Sequence, residues 1–289
     1  MTPSRPTLRG PDGTTAVVAP DAGGRLASLR IAGRERLVTE PGEDPRLDWG
    51  CYLMAPWAGR LAEARLPIGD TAHQLVADHG RHAIHGVALD AAWTVEAVTA
   101  TRTVLSAALD PVRWPPGGHV REDISLGPGQ ASLRATVTAG SEPMPASLGW
   151  HPWFARPNRG DMTLRCDAAR VLLTDDEVIP DGTSQPVHGH LDLREGPPLE
   201  QRRIDDCFTD VREPVVLSWP DLRLTIRSDV TTYVIYTPER GASVEPQTAW
   251  PNAPALAAAG VPGTGLVHLE PGESLSLATE LTWSVTPAA

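Results

Sequence analysis

Glycine and proline punctuate this chain along its whole length, and that punctuation favours short elements. The 26 Gly and 29 Pro are spread along all 289 residues and are not pooled in a linker. Between them lie runs with period-two alternation. The clearest sets Leu275, Leu277, Thr279, Leu281, Trp283 and Val285 on one face and Ser276, Ala278, Glu280, Thr282 and Ser284 on the other. Leu133, Ala135 and Val137 alternate with Ser132, Arg134, Thr136 and Thr138, and Leu222, Leu224 and Ile226 with Arg223, Thr225 and Arg227. Alternation of this kind puts one face on a core and the other in water, as in antiparallel sheets. Pro128-Gly129 reads as a hairpin turn before Ser132, and Pro271-Gly272 as another between 266–270 and the last strand. Helical pattern is nearly missing: one short helix is predicted over 254–259, with Asn252 to cap it and Gly260 to end it. No repeat of about 20–50 residues suggests a propeller or solenoid. The expected fold is all-β, one large antiparallel sandwich domain over 1–289 with very few helices.

The 25 basic and 36 acidic side chains leave a net charge of −11. That balance argues against a nucleic-acid or anionic-membrane partner, because both demand a basic surface. Every one of the cations is Arg. Without lysine, Schiff-base aldolases, pyridoxal enzymes and the P-loop lysine are excluded. Cys51, Cys166 and Cys207 are scattered and odd in number, which suits thiols in a reducing compartment better than a disulfide framework or zinc site. Residues 1–13 hold no apolar stretch of signal-peptide length, and no run approaches the roughly 20 apolar residues of a membrane span. The expected location is the cytoplasm.

Three segments carry candidate chemistry. In 147–154, SLGWHPWF, His151 sits among tryptophans before a proline; a plain structural histidine in an aromatic cluster is the competing reading. In 243–252, SVEPQTAWPN, Glu245 follows Val244, where a carboxylate is costly to bury unless it has partners or a task; an exposed strand-end Glu is the alternative. The stretch 55–93 brings APWAGRLAEARL, HGRHAIHG and LDAAW. Its His79, His82 and His85 are spaced by three, which in a strand would turn His82 and His85 to opposite faces, so no metal site is expected there.

Taken together, PWAGRL, HAIHGVALDAAW, LGWHPWF, IDDCFTD and SVEPQTAWPNA resemble, in order and approximate spacing, the aldose 1-epimerase (galactose mutarotase) family, from about Trp57 to Asn252. The resemblance implies a large β-sandwich of the galactose mutarotase type and a monosaccharide substrate. It places Glu245 at the general base and His151 at the general acid, with His85 assisting, and Arg60 and Asp205 on sugar hydroxyls; Asp206 is the neighbouring alternative to Asp205. Several positions depart from the family pattern. Gly59 stands where Asn is frequent, Ala64 where Gly is common, Trp153 in place of Tyr, Trp250 in place of a small residue or Pro, and Ala88-Leu89 where an Arg often follows.

Mutarotation opens a cyclic hemiacetal and recloses it on the other face. One group takes the proton of the anomeric hydroxyl while another protonates the ring oxygen, and the roles then reverse. A carboxylate with a pKa near about 4.3 and an imidazole near about 6.5, held protonated by neighbouring carboxylates, suit those tasks. The chemistry calls for no metal, nucleotide or other cofactor. Trp57, Trp150, Trp153 and Trp250 lie in the matched segments, and Trp57 and Trp153 are the expected sugar-contacting aromatics; a tryptophan-rich core is the plainer account of several of them. Three other readings compete. A metal-dependent cupin would use His188, His190 and Glu195, but these lie in a Pro/Gly-rich stretch without a second motif. A sugar-binding module would keep the fold without a use for both Glu245 and His151. A hexose-phosphate epimerase would need a few local Arg side chains.

Overall fold

The computed structural model describes residues 5–212 and 214–286. Two large antiparallel sheets dominate. The larger has eleven strands. Its path runs Thr7–Arg9, Thr15–Val18, Leu26–Ile31, Cys51–Met54, Gly149–Ala155, Gly241–Gln247, Thr232–Tyr236, Asp205–Thr209, Arg170–Thr174 and Pro180–Pro186, with Arg34–Glu35 branching from Leu26–Ile31. The second has eight strands, with His119–Gly127, Gln130–Thr138, Ser274–Val285 and Leu222–Ser228 at its centre. Among the described residues, the one α-helix is Ala253–Ala258, and no helix is long and apolar enough to cross a membrane.

The alternating segments make the second sheet. Leu133, Ala135, Val137, Leu222, Leu224, Ile226, Leu277 and Leu281 are all buried on its inner side. Each such leucine taken from water contributes roughly 1.5–3 kcal/mol. Pro128-Gly129 closes the expected hairpin, with Gly127 paired to Gln130. The other expected hairpin is not one. Glu273 N–H does bond Glu270 O across Pro271-Gly272, but the preceding strand, Val267–Leu269, pairs with Met144–Ala146 and not with Ser274–Val285. The turn reverses the chain and hands it to a different sheet. The helix is where the sequence put it, one residue earlier. Asn252 stands at its N-cap in a left-handed conformation (φ 59°) and bonds none of the helix N–H groups with its side chain. Its Oδ1 accepts from Ala62 N–H at 3.1 Å and its own N–H donates to Arg60 O at 2.8 Å, so the asparagine fastens the Arg60 segment to the helix start.

The larger sheet is covered on both sides. Cys51, Leu53, Trp150, Phe154, Ala242, Val244 and Ile235 point into the main core between the sheets. Their neighbours Tyr52, Met54 and Trp153 point the other way, into a second apolar cluster with Leu47, Ala58, Ile84 and Leu89. The segments 42–50, 55–64 and 79–90 thus form a layer over the outer face of the central strands, and a cleft opens in that layer.

Candidate active site

Strand register assembles the floor of the cleft. Gly149 pairs with Gln247 and Trp153 with Ser243, which sets His151 opposite Glu245. His151 also pairs with Tyr52 on its other side, Glu245 with Val234, and Val234 with Cys207. Tyr52, His151, Glu245, Val234 and Cys207 therefore form one row across five strands, all on the outer face. The next row holds Trp153, Ser243, Tyr236 and Asp205. The cleft above is walled by Arg60, His79, His85, Asp48, Val178 and Pro251 among others.

His151 and Glu245 stand side by side and touch: Nε2 lies 3.1 Å from Glu245 Oε1, with the side chains only 6% and 2% exposed. Glu245 Oε2 accepts from Gln247 Nε2 at 3.2 Å. The imidazole is stacked between Tyr52, at 4.7 Å between centroids, and Trp153, at 5.6 Å. Burial pushes the His151 imidazole down to about 3 and, with the negative field of Asp205, pushes the Glu245 carboxyl well above the usual carboxylate range. The sequence-level expectation that carboxylates would raise His151 is thus reversed for the isolated ring, because burial outweighs them. Burial opposes net charge on the pair, so Glu245 and His151 together hold one proton, as an acid with a neutral imidazole or as a carboxylate with an imidazolium.

His85 is buried at a left-handed φ of 59°. Gly59 N–H donates to its Nδ1 at 3.2 Å, and His85 N–H donates to Gly59 O at 3.0 Å. Burial, followed by the neighbouring His151, holds this imidazole well below its ordinary value. It is neutral, and with Nδ1 accepting, its proton sits on Nε2. Its ring meets that of His151 edge-on at 5.1 Å. Arg60 Nη2 lies 3.4 Å from Asp205 Oδ2, in the strand Arg60–Leu61 that pairs with Ala83–Ile84.

Glu245, His151, His85, Arg60, Asp205 and Trp153 thus come together in one cleft, which Asp206 also borders. Trp57 does not join them: it is 3% exposed in the main core, stacked on Trp114 at 5.4 Å, because the segment preceding Arg60 turns its indole inward. Of the five tryptophans in the matched segments only Trp153 borders the cleft. His79 lines it too, whereas His82 turns away, its Nδ1 accepting from Glu63 N–H at 3.0 Å. His188, His190 and Glu195 are exposed around a short turn, Gly189–Leu191, away from the cleft. Among the described residues no three His, Cys, Asp or Glu side chains converge as a metal ion would require.

Tyr52, Ser243, Gln247 and Tyr236 were not singled out from the sequence. Ser243 and Gln247 lie two residues either side of Glu245, and period two alone places them on its face. Tyr52 becomes visible only through its pairing with His151. Of the departures, Gly59 finds a local reason and Ala64 sits where the backbone favours the family's glycine. A side chain at Gly59 (φ +75°) would bring its Cβ to 2.6 Å from Pro251, and Ala64 occupies a left-handed φ of 52° that suits glycine.

A buried carboxylate–imidazole pair on the outer face of a large antiparallel sheet, bordered by an Arg–Asp pair, is an arrangement able to pass a proton, and it sits in a β-sandwich of the mutarotase type. The sequence profile of the aldose 1-epimerase family matches residues 6–282, and the chain belongs to that family. It is 23% identical over 246 residues, 80% of each chain, to the uncharacterized protein YihR of Escherichia coli K12. Its fold is similar to that of the aldose epimerase homologue of Caenorhabditis elegans (TM-score 0.85, 16% identity, 98% of this chain and 99% of that one). It is also similar to galactose 1-epimerase from Lactobacillus acidophilus (TM-score 0.78, 17% identity, 97% and 94%).

Proposed function

We propose that this protein is an isomerase that interconverts the α and β anomers of an unphosphorylated aldose. The observation that carries the reading is the contact between His151 Nε2 and Glu245 Oε1 at 3.1 Å on the cleft floor. The two oxygens that exchange protons in a hemiacetal, the anomeric hydroxyl and the ring oxygen, are bonded to the same carbon. Groups that serve them must be neighbours, and these two are. In the opening step Glu245 carboxylate takes the hydroxyl proton, the C1=O bond forms, the bond from C1 to the ring oxygen breaks, and His151 Nε2–H protonates that oxygen. The aldehyde end rotates about C1–C2. In closure His151 takes back the proton from the ring-forming hydroxyl as it attacks, and the Glu245 acid returns its proton to the carbonyl oxygen. The pair holds one proton before, during and after, which is the state burial favours.

Other features support a sugar ligand. Tyr52, Trp153 and Gln247 are cleft-lining residues, and a hydroxyl, an indole N–H and an amide are the kinds of donor and acceptor that sugar hydroxyls pair with. Arg60 is the one Arg among the lining residues, beside Asp48, Asp205, Asp206 and Glu245, an electrostatic setting that opposes a phosphate group. The test is proton NMR exchange spectroscopy between anomers of a panel of neutral aldoses and their 6-phosphates. Acceleration for at least one neutral aldose, and a weaker effect on its phosphate, is expected. Binding of a sugar without acceleration for any member of the panel would instead identify a sugar-binding module.

A further inference from the structure

Ser243 is fully buried in the Glu245 strand, on the same face as Glu245 and opposite Trp153. Its Oγ is 2.7 Å from Pro152 O and 3.1 Å from His151 Nδ1, and it also lies within hydrogen-bonding reach of the Glu245 carboxyl. A hydroxyl carries one proton and a carbonyl can only accept. Pro152 O, at the shortest of these distances, receives the serine proton, and Ser243 Oγ meets Nδ1 with a lone pair. That contact is attractive only if Nδ1 carries hydrogen. The opposite ring nitrogen, Nε2, faces Glu245 Oε1.

We propose that Ser243 is a positioning residue that fixes His151 in the Nδ1–H tautomer, so that Nε2 is the nitrogen that gains and loses the proton during ring opening. The chain of contacts is Pro152 O, Ser243 Oγ–H, His151 Nδ1–H, and the proton shared between Nε2 and Glu245. Stacking between Tyr52 and Trp153 fixes the plane of the ring; the serine fixes which way round its protons lie. A second-layer group that selects the tautomer of a catalytic imidazole can decide whether the acid works at all. The tautomer follows from the contacts alone, while its catalytic use rests on the anomer-exchange reading.

The test uses the whole protein labelled with ¹⁵N-histidine. Long-range ¹H–¹⁵N correlation spectra, with His151 assigned by its loss in His151→Asn, are expected to show Nδ1 protonated in the resting protein. Ser243→Ala is expected to lose that signature and to lower kcat by about tenfold or more with KM changed by less than about twofold, because a proton transfer is impaired and not sugar binding. Ser243→Thr, which keeps the hydroxyl, is expected to regain most of the rate. An unprotonated Nδ1 in the wild type overturns the proposal on its own, even if no variant folds. So does a folded Ser243→Ala that keeps kcat. If the wild type accelerated no sugar's anomer exchange, the functional reading would fall and take the catalytic use of Ser243 with it, while the spectrum would still decide the tautomer.

Discussion

At the scale of single residues, the central fact is that two groups with opposite charge preferences share one buried environment. Glu245 is shifted up and His151 down, so the limbs of a pH profile belong to the pair and to neither residue alone. On raising the pH the pair loses its one proton only well above the ordinary carboxylate range. On lowering it, a second proton is taken up only well below the ordinary imidazole range. Free groups at about 4.3 and 6.5 would give a narrow optimum between them. The buried pair is expected to give kcat/KM that is flat across about pH 5–8, read by polarimetry. A narrow bell centred between the two ordinary values would mean that the groups titrate independently. His151 and Glu245 were both legible in the sequence as a His among tryptophans and a Glu after an apolar residue. Their contact was not, since it depends on a register between strands some ninety residues apart. The imidazole's shift was also misjudged, because the sequence does not reveal how dry the site is.

At the scale of elements, the loop that carries Arg60 explains why part of the site eluded sequence reading. Asn252 fits the pattern of a helix cap, yet its side chain serves Ala62 N–H and its backbone serves Arg60 O. Period and capping rules see neighbours along the chain, and this bond spans 190 residues. Within the same loop Glu63 and Ala64 both have positive φ. Ala64→Gly is therefore expected to stabilise the protein by about 0.5–1 kcal/mol, the relief of a left-handed alanine less the added chain entropy. Chemical denaturation checks it; a destabilised variant would mean that the alanine methyl, fully buried in the core, contributes more by packing than the backbone conformation costs. The central strands of the larger sheet resisted prediction for a related reason. Covered on both faces, SLGWHPWF and its neighbours have no polar side to alternate with. The clean alternation lay in the other sheet, which carries the fold and not the chemistry.

At the scale of the whole molecule, the fold was legible as an all-β sandwich because the clearest Gly/Pro-bounded segments had strand period and almost none had helix period. Among the polar side chains buried between the two sheets is a carboxylate. Glu122, in the strand His119–Gly127, is fully buried with both carboxyl oxygens lacking a partner, and burial pushes its pKa well above the usual range. Gly24 leaves room for it, since a Cβ there would come within 3.1 Å of Glu122 Oε2. A raised folded-state pKa means that the folded protein keeps a proton the unfolded chain gives up. Its cost is absent below the unfolded pKa and grows as pH rises toward the folded one. Glu122→Gln is expected to raise Tm at pH 8 and to change it little near pH 4, with each kcal/mol worth roughly 2–4 °C in a chain of this size. Equal shifts at both pH values would show that Glu122 is not the titrating group.

The account stands most directly on Glu245 as the proton acceptor beside His151. The measurement is the anomer-exchange rate of the best neutral aldose with wild type and Glu245→Gln at equal, saturating sugar, with binding followed separately by calorimetry. Gln keeps the shape and the neighbouring Gln247 but cannot take a proton. The expected result is a loss of about 10²–10⁴-fold in rate with affinity for the sugar largely kept. A variant that binds the sugar and exchanges its anomers at more than about a tenth of the wild-type rate would contradict it.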